Sequence, residues 1–496
     1  KGEVEVDVEY APRPEYGLIE PLLAPTAYGI RARGGAAVLL LSSPVTLIVH
    51  GATATARVAL REGETRVFSL HYHSTSETPS EPWGQEEGTL RLDDTVNAWR
   101  TWAAAHQAYE GPWRDLVHMS GRLLQALTFQ PTGAIVAAPT TSLPEEVGGE
   151  RNWDYRYAWV RDASLTVEAL WVAACPDEVD RFFDYMTGAA AAQLRGGADL
   201  QIMFGIGGEH DLTERELPHL KGWRDSRPVR VGNGAWSQRQ LDVYGELLNT
   251  VYRLSDQFSE LDEATKGFFV EMADTAAARW TERDQGIWEV RGDPQDFLYS
   301  KLMCWVALDR AILLADRLGA GDRVDRWVKT RDEIGDAILQ HGWNDRAKAF
   351  TQSFGSEELD ASSLMIPIVG FLPAKDPRVL ATIAAIEERL TDEHGLVFRY
   401  LSADGLEGEE GTFLLCTFWL AQAQALAGQV DKAKATFERA IAFANDLGLL
   451  AEEVDPETRE MLGNYPQAFS HIGLVNAAWA ISQAEKGLTP GGSPLE

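Results

Sequence analysis

The chain has 496 residues, with 45 Lys and Arg against 75 Asp and Glu, giving a net charge of −30. Such a chain repels phosphate backbones, which argues against nucleic acid as a partner. At 45% hydrophobic and 24% charged residues it has globular composition, which argues against wholesale disorder and fibrous repeats. Cys175, Cys304 and Cys416 are an odd, widely spaced set, so neither a disulfide framework nor zinc spacing is expected. All three fall in apolar helical segments and read as inert buried thiols. No apolar run approaches the ~18 residues a membrane span needs. The opening Lys1-Gly2-Glu3-Val4-Glu5 does not read as a signal peptide, so a cytoplasmic protein is expected.

In chain order, residues 3–10 alternate Val4, Val6, Val8 and Tyr10 with Glu3, Glu5, Asp7 and Glu9, the period of a half-buried strand. Further short runs at Ala37–Leu41, Thr46–His50, Thr53–Leu60, Glu64–His73 and Gly88–Leu92 are separated by turn residues. Residues 1–92 therefore read as an antiparallel β-sandwich, small enough for that architecture to be only part of one. The chain opens directly in a strand, so an upstream segment is expected to precede it. From Asp93 the period becomes helical, with 93–111 as a helical linker. Helices follow near 112–129, 160–175, 178–194, 237–256, 260–281, 296–318, 322–341, 358–367, 376–391, 411–427, 430–446 and 466–486. Twelve helices over 112–487 predict six hairpins closed into an (α/α)6 barrel, with 488–496 as a tail. The loops 129–159 and 195–236 are long and rich in Gly, Arg and Trp, as functional loops are.

The densest segment runs Gly149-Glu150-Arg151-Asn152-Trp153-Asp154-Tyr155-Arg156-Tyr157-Ala158-Trp159-Val160-Arg161-Asp162. Arg161 and Asp162 stand where this loop enters a helix. A donor beside an acceptor grips neighbouring hydroxyls of one sugar while an aromatic packs on its face. A surface ion pair among core aromatics is the competing reading. In Gly286-Ile287-Trp288-Glu289-Val290, a carboxyl stands beside Trp, where desolvation can hold it protonated, as a general acid requires. In isolation the signal is weak, and an exposed loop Glu is the better reading. Leu450-Ala451-Glu452-Glu453-Val454-Asp455 holds three acids, a general base among them or, more readily in isolation, an acidic helix end or a cation site. Arg399 stands in the strand-like Gly395–Tyr400. Lys221, Arg224, Arg227 and Arg230 cluster within ten residues, a candidate anion site or simple partners of the acidic surface. His71 and His73 share a strand face without a third ligand, so no metal is expected.

Together these segments resemble glycoside hydrolase family 15, the inverting exo-acting α-glucosidases that include glucoamylases, glucodextranases and bacterial trehalases. The bacterial motif GGERNWDYRYxWxRDAS is matched at Gly148–Ser164, the W-E motif at Trp288-Glu289, and the A/S-E-x-x-D motif at Ala451–Asp455. Arg399-Tyr400 followed by Leu415-Cys416-Thr417, and Trp236–Asp242, match two further elements. The likeness covers roughly residues 110–485. It implies an (α/α)6 barrel, Glu289 as general acid and Glu452 as general base. It implies a small neutral α-glucoside held by Arg161, Asp162, Trp288 and Arg399, with Tyr157 and Trp159 in the same motif and Trp236 and Asp242 as looser transfers. Glu453 competes with Glu452, which holds the motif position. No cofactor and no metal are implied. The family's bacterial members carry a larger sandwich than 1–92. Trehalase and glucoamylase-type activity both fit; cytoplasmic character leans toward trehalose. A non-catalytic carbohydrate-binding barrel would not need both carboxylates. A phosphorolytic enzyme would replace the base with a phosphate site.

Overall fold

A computed structural model describes residues 2–79, 81–174, 179–195, 199–255, 261–406, 408 and 410–488. They form two compact units, Lys1–Ala105 and His106–Glu496.

The first unit carries seven strands: β1 Glu3–Tyr10, β2 Leu22–Thr26, β3 Gly29–Gly34, β4 Ala37–Ser42, β5 Ile48–His50, β6 Thr53–Arg61 and β7 Ser69–Ser74. They build two antiparallel sheets, ordered β1-β6-β5 and β2-β3-β4-β7. Ile30 and Leu41 from the larger sheet meet Leu47 and Ala54 in one core, which makes the pair a sandwich. Two strands escape the sequence pattern. β2 contains Pro25, and β3 offers only Ile30 and Ala32 as inward residues between Arg31 and Arg33. The alternation of β1 is real, but Val4 is 55% exposed, so its apolar face is only partly covered.

The expected strand Gly88–Leu92 is corrected to helix, inside α1, Gln85–His106. Gly-Thr-Leu-Arg-Leu alternates like a strand. However, Leu90 and Leu92 stay exposed, and Arg91 pairs with Glu87 one turn back at 2.7 Å.

In the second unit the chain runs through α2 Arg114–Ala126, α3 Val160–Ala173, α4 Val179–Arg195, α5 Val243–Arg253, α6 Glu263–Arg279, α7 Leu298–Leu313 and the short α8 Ala315–Leu318. It continues through α9 Val324–Ala337, α10 Met365–Ile368, α11 Pro377–Arg389, α12 Leu414–Leu426, α13 Val430–Ile441 and α14 Ala468–Glu485. A 3-10 turn, Ala361–Leu364, leads into α10. Among the described residues, α3, α5, α7, the Ala361–Ile368 segment, α12 and α14 pack each on the next, and α14 returns to α3. That closed inner ring is wrapped by α2, α4, α6, α9, α11 and α13, the (α/α)6 arrangement.

Sequence explains the layering. Inner helices are covered all round, so α12 reads Leu-Leu-Cys-Thr-Phe-Trp-Leu-Ala and buries nearly every residue. Outer helices bury one face. In α13, Ala433, Thr436, Phe437 and Ala440 point inward while Lys432, Glu438 and Arg439 meet solvent. Cys304 and Cys416 are buried free thiols whose pKa burial pushes up; Cys175 lies outside the described residues. No described helix is long and apolar enough to cross a membrane.

Candidate active site

A pocket opens in the second unit, at the N-terminal ends of the inner helices. Short two-residue ladders aim its walls. Ala158–Trp159 pairs with Met203–Phe204, which delivers the chain into α3 with Arg161 and Asp162 in its first turn. Thr412–Phe413 pairs with Glu453–Val454, which pairs in turn with Met461–Leu462. Leu414 N–H donates to the Glu452 carbonyl at 3.1 Å. Buried His471 accepts from Leu450 N–H at Nε2 (3.1 Å) and so donates from Nδ1 to the Ser120 hydroxyl (2.9 Å). Burial holds that imidazole neutral, at about 3, so it pins the Glu452 loop without adding charge.

Glu289 closes a tight turn. Its N–H donates to the Gly286 carbonyl at 3.2 Å, and its own φ is 58°. Left-handed backbone at a non-glycine residue is costly, and here it swings the carboxylate into the pocket. Trp159 Nε1–H donates to Glu289 Oε1 at 2.7 Å, and the Arg161 guanidinium stands 3.6 Å from the same oxygen. The indole that meets the carboxylate is therefore Trp159. Trp288, expected to desolvate it, turns its N–H to the Asp360 carboxylate at 3.0 and 3.1 Å and packs its ring near Phe413 and Trp419.

Glu452 lies on the same pocket. Tyr155 O–H lies 3.0 Å from its Oε1, and its other oxygen is buried without a hydrogen-bond partner. Burial raises the Glu452 pKa well above the usual carboxylate range, and the neighbouring Glu145 carboxyl adds to the effect. Tyr155 and Trp159 stack edge to face with ring centres 5.6 Å apart, so the partners of the two carboxyls are themselves in contact. Glu453 does not line the pocket. It is fully buried behind the wall, accepts from Gly411 N–H at 2.9 Å and sits 3.7 Å from Arg399.

Arg161 and Asp162 form part of the wall, 3.2 Å apart. The guanidinium also donates to the Ile287 carbonyl at 2.8 Å and lies over Phe469. Burial raises Asp162 to about 7, with Arg161 opposing. Arg399 is clamped by Glu410, with its Nε donating at 3.0 Å, and lies over Phe413.

Of the sequence candidates, Glu289, Glu452, Arg161, Asp162, Trp288, Arg399 and Trp159 line this one pocket. Three others are not among its lining residues. Tyr157 is half-buried on the loop, its carbonyl engaged by Ala137 N–H. Trp236 is half-buried in the turn Gly234–Ser237, while Asn233 takes the pocket side. Asp242 is fully buried, with neither carboxylate oxygen hydrogen-bonded; burial raises it to about 6 and Arg161 opposes that rise. The residues before α5, expected to be helical from 237, are loop up to Val243, which is why Asp242 sinks inward.

The expected anion cluster is already occupied in part. Arg224 pairs with Glu460 at 2.5 Å, and Arg230 pairs with Glu214 at 3.1 Å while stacking on Trp153. Sequence reasoning missed Tyr155, Trp153, Arg151, Arg291, Asp404 and Glu410 as wall residues. The aromatic and arginine density of 149–162 flagged the first three only as a group, and nothing local marked the others. No group of His, Cys, Asp and Glu suited to a metal occurs among the described residues.

A family model for glycosyl hydrolases family 15 matches residues 113–479. A trehalase from Mycolicibacterium smegmatis is 42% identical over 451 residues, 90% of this chain and 67% of that protein. A trehalase from Thermoplasma acidophilum is 38% identical over 395 residues, 80% of this chain and 67% of that one. The chain thus spans about two thirds of the length of these relatives. Among solved structures, a bacterial glucoamylase complexed with acarbose superposes with a TM-score of 0.71 at 15% identity, covering 94% of this chain and 74% of that one. A glycosidase variant in complex with glucose superposes at 0.58 and 22% identity, covering 74% and 96%. The match over 113–479 spans the helical ring up to the middle of α14 and every wall of the pocket, and the chain belongs to glycosyl hydrolases family 15.

Proposed function

We propose that this protein hydrolyses the α-glucosidic bond of trehalose with inversion, Glu289 acting as general acid and Glu452 as general base. The observation that carries this reading is that two carboxyl groups from separate loops face one pocket beside the Arg161–Asp162 pair. Breaking the bond builds positive charge on the sugar and negative charge on the leaving oxygen. Glu289 supplies a proton to that oxygen. Glu452 takes a proton from a water on the far side of the ring, and β-glucose leaves. Arg161 and Asp162 supply a donor and an acceptor to the hydroxyls of the terminal glucose, and Trp159 and Phe469 supply apolar surface. The trehalase names of the relatives favour trehalose.

The acarbose complex of the structurally similar glucoamylase favours a second reading, release of glucose from the end of an α-glucan. Assaying glucose from trehalose, maltose, isomaltose and starch separates the two. Release from trehalose alone is expected. Faster turnover of maltose or starch assigns the glucoamylase reading, and no release from any of them removes both.

A further inference from the structure

Tyr155 carries one hydroxyl proton and stands between two carboxyl groups. Its oxygen is 3.0 Å from Glu452 Oε1 and 3.2 Å from Glu145 Oε1. A single O–H donates to one of them only. The other contact is a hydrogen bond only where the second carboxyl is protonated and donates to the tyrosine oxygen.

Glu145 is almost wholly buried, and its Oε2, like that of Glu452, has no hydrogen-bond partner. It arrives on the loop just before the dense 149–162 segment. Its N–H donates to the Arg151 carbonyl at 3.1 Å, and Gly463 N–H donates to the Pro144 carbonyl at 2.7 Å. Gly463, at φ +83°, lies against both carboxylates. A Cβ there would stand 3.1 Å from Glu452 Oε2 and 3.8 Å from Glu145 Cγ. Gly463 thus backs both acids on one side.

The charges around them do not permit all to ionise. The acids Glu145, Glu452, Glu453, Glu410, Asp404 and Asp162 face the cations Arg399 and Arg151, with Arg161 beyond Asp162 and Glu289 beyond Tyr155. Arg399 is the cation nearest Glu145, at 3.9 Å, but Glu410 holds its guanidinium. Tyr400 completes the ring of titratable neighbours through Asp404.

We propose that Glu145 is a positioning residue for the general base: through the Tyr155 hydroxyl it shares one proton with Glu452 and so sets the pH above which Glu452 is ionised. In the working state Glu145 O–H donates to Tyr155, and Tyr155 O–H donates to the Glu452 carboxylate. When Glu452 takes a proton from the attacking water, the pair holds two protons, and one leaves to solvent after product release. The state with the proton on Glu452 and the charge on Glu145 is idle. Burial raises both carboxyls, Glu145 to about 7, and the Glu145 charge raises Glu452 further, so the idle state competes near neutrality.

This rests on Glu452 being the base, and the tests separate the two ideas. In the pH profile of kcat/KM on trehalose, Glu145→Gln is expected to move the acid limb to lower pH, because the amide donates to Tyr155 but never carries the competing charge. Tyr155→Phe is expected to move the limb to higher pH, and the effect of Glu145→Gln is expected to shrink in that background. An E145Q limb that coincides with the parent's, or a loss equal at every pH, overturns the proposal. Infrared difference spectra of protein labelled with carbon-13 glutamate need no turnover. At neutral pH the parent is expected to show one protonated glutamate band that E145Q lacks. Identical protonated bands in the two proteins also overturn it. A parent inactive on every α-glucoside removes the proposed function, while the infrared result still decides the shared proton.

Discussion

Glu289 and Glu452 meet different surroundings. Glu289 is 19% exposed along its side chain and receives an indole N–H and a nearby guanidinium. Glu452 is buried beside a second acid and a phenol. Loss of either acid–base partner is expected to lower turnover by about 10²–10⁴-fold. Glu289→Gln should lose cleavage of trehalose but retain more activity on α-glucosyl fluoride, whose leaving group needs little protonation. Glu452→Ala should be impaired on both substrates. Glu453→Ala should lose less than Glu452→Ala, because Glu453 lies behind the wall. Steady-state kinetics on both substrates check this, and proton NMR of the first product should show β-glucose. Equal losses for Glu452→Ala and Glu453→Ala, or α-glucose as the first anomer, would contradict the assignment.

At the scale of elements, the turn Gly286–Glu289 is the part most sensitive to a single atom. Gly286 has φ +68°, and a Cβ there would meet the Phe297 ring at 2.8 Å. Gly286→Ala is expected to destabilise the fold by about 1–3 kcal/mol and to displace Glu289. A shift of ~1 Å at the acid costs about 10²-fold in kcat/KM. Gly319, at the end of α8, has a similar φ of +65° with nothing within 4 Å of its Cβ. Gly319→Ala should cost about 1 kcal/mol and leave kcat/KM unchanged. Thermal melts paired with kinetics test this, and equal activity in the two variants would remove the argument.

For the whole molecule, pH dependence follows from its buried acids. Burial raises Glu145, Asp162 and Asp284 to about 7 and Asp242 to about 6, and it also raises Glu246, Asp360, Glu452 and Glu453. Between about pH 4 and 7 the folded state therefore holds more protons on these groups than the unfolded state. Their stabilisation is complete below the unfolded pKa and is lost as pH rises through the folded one. His471 and His118 act oppositely, since burial lowers both, but they are two against eight. Tm is expected to rise as pH falls from about 8 to about 5. It should fall again in stronger acid, where the depressed carboxyls Asp404 and Glu460 lose their arginine partners Arg151 and Arg224. The net charge of −30 adds to the alkaline loss through self-repulsion, so added salt should raise Tm more at pH 8 than at pH 5. Calorimetry across pH and salt checks both trends. A Tm that climbs steadily from pH 5 to 8 would contradict them.

By itself the sequence determined the helical ring, because inner and outer helices differ in how much of their circumference is apolar, as α12 and α13 show. Through the motifs that carry the family resemblance it also picked out Arg161, Asp162, Trp288, Glu289, Arg399 and Glu452, which line one pocket, although the signals around Glu289, Arg399 and Glu452 are weak taken singly. Local alternation misled at Gly88–Leu92, where Leu90 and Leu92 have no sheet to meet, and hid β3, whose two inward residues make too short a pattern. Only the tertiary structure decided which indole meets Glu289, that Asp242 is sealed behind the wall, and that Glu145 joins Glu452 through Tyr155. Those contacts join residues as far apart in the chain as Tyr155 and Glu452, 297 positions. Periodicity and spacing report what one segment buries. They carry no record of which distant segment arrives to cover it, and the charge balance of a buried site depends on all the arrivals at once.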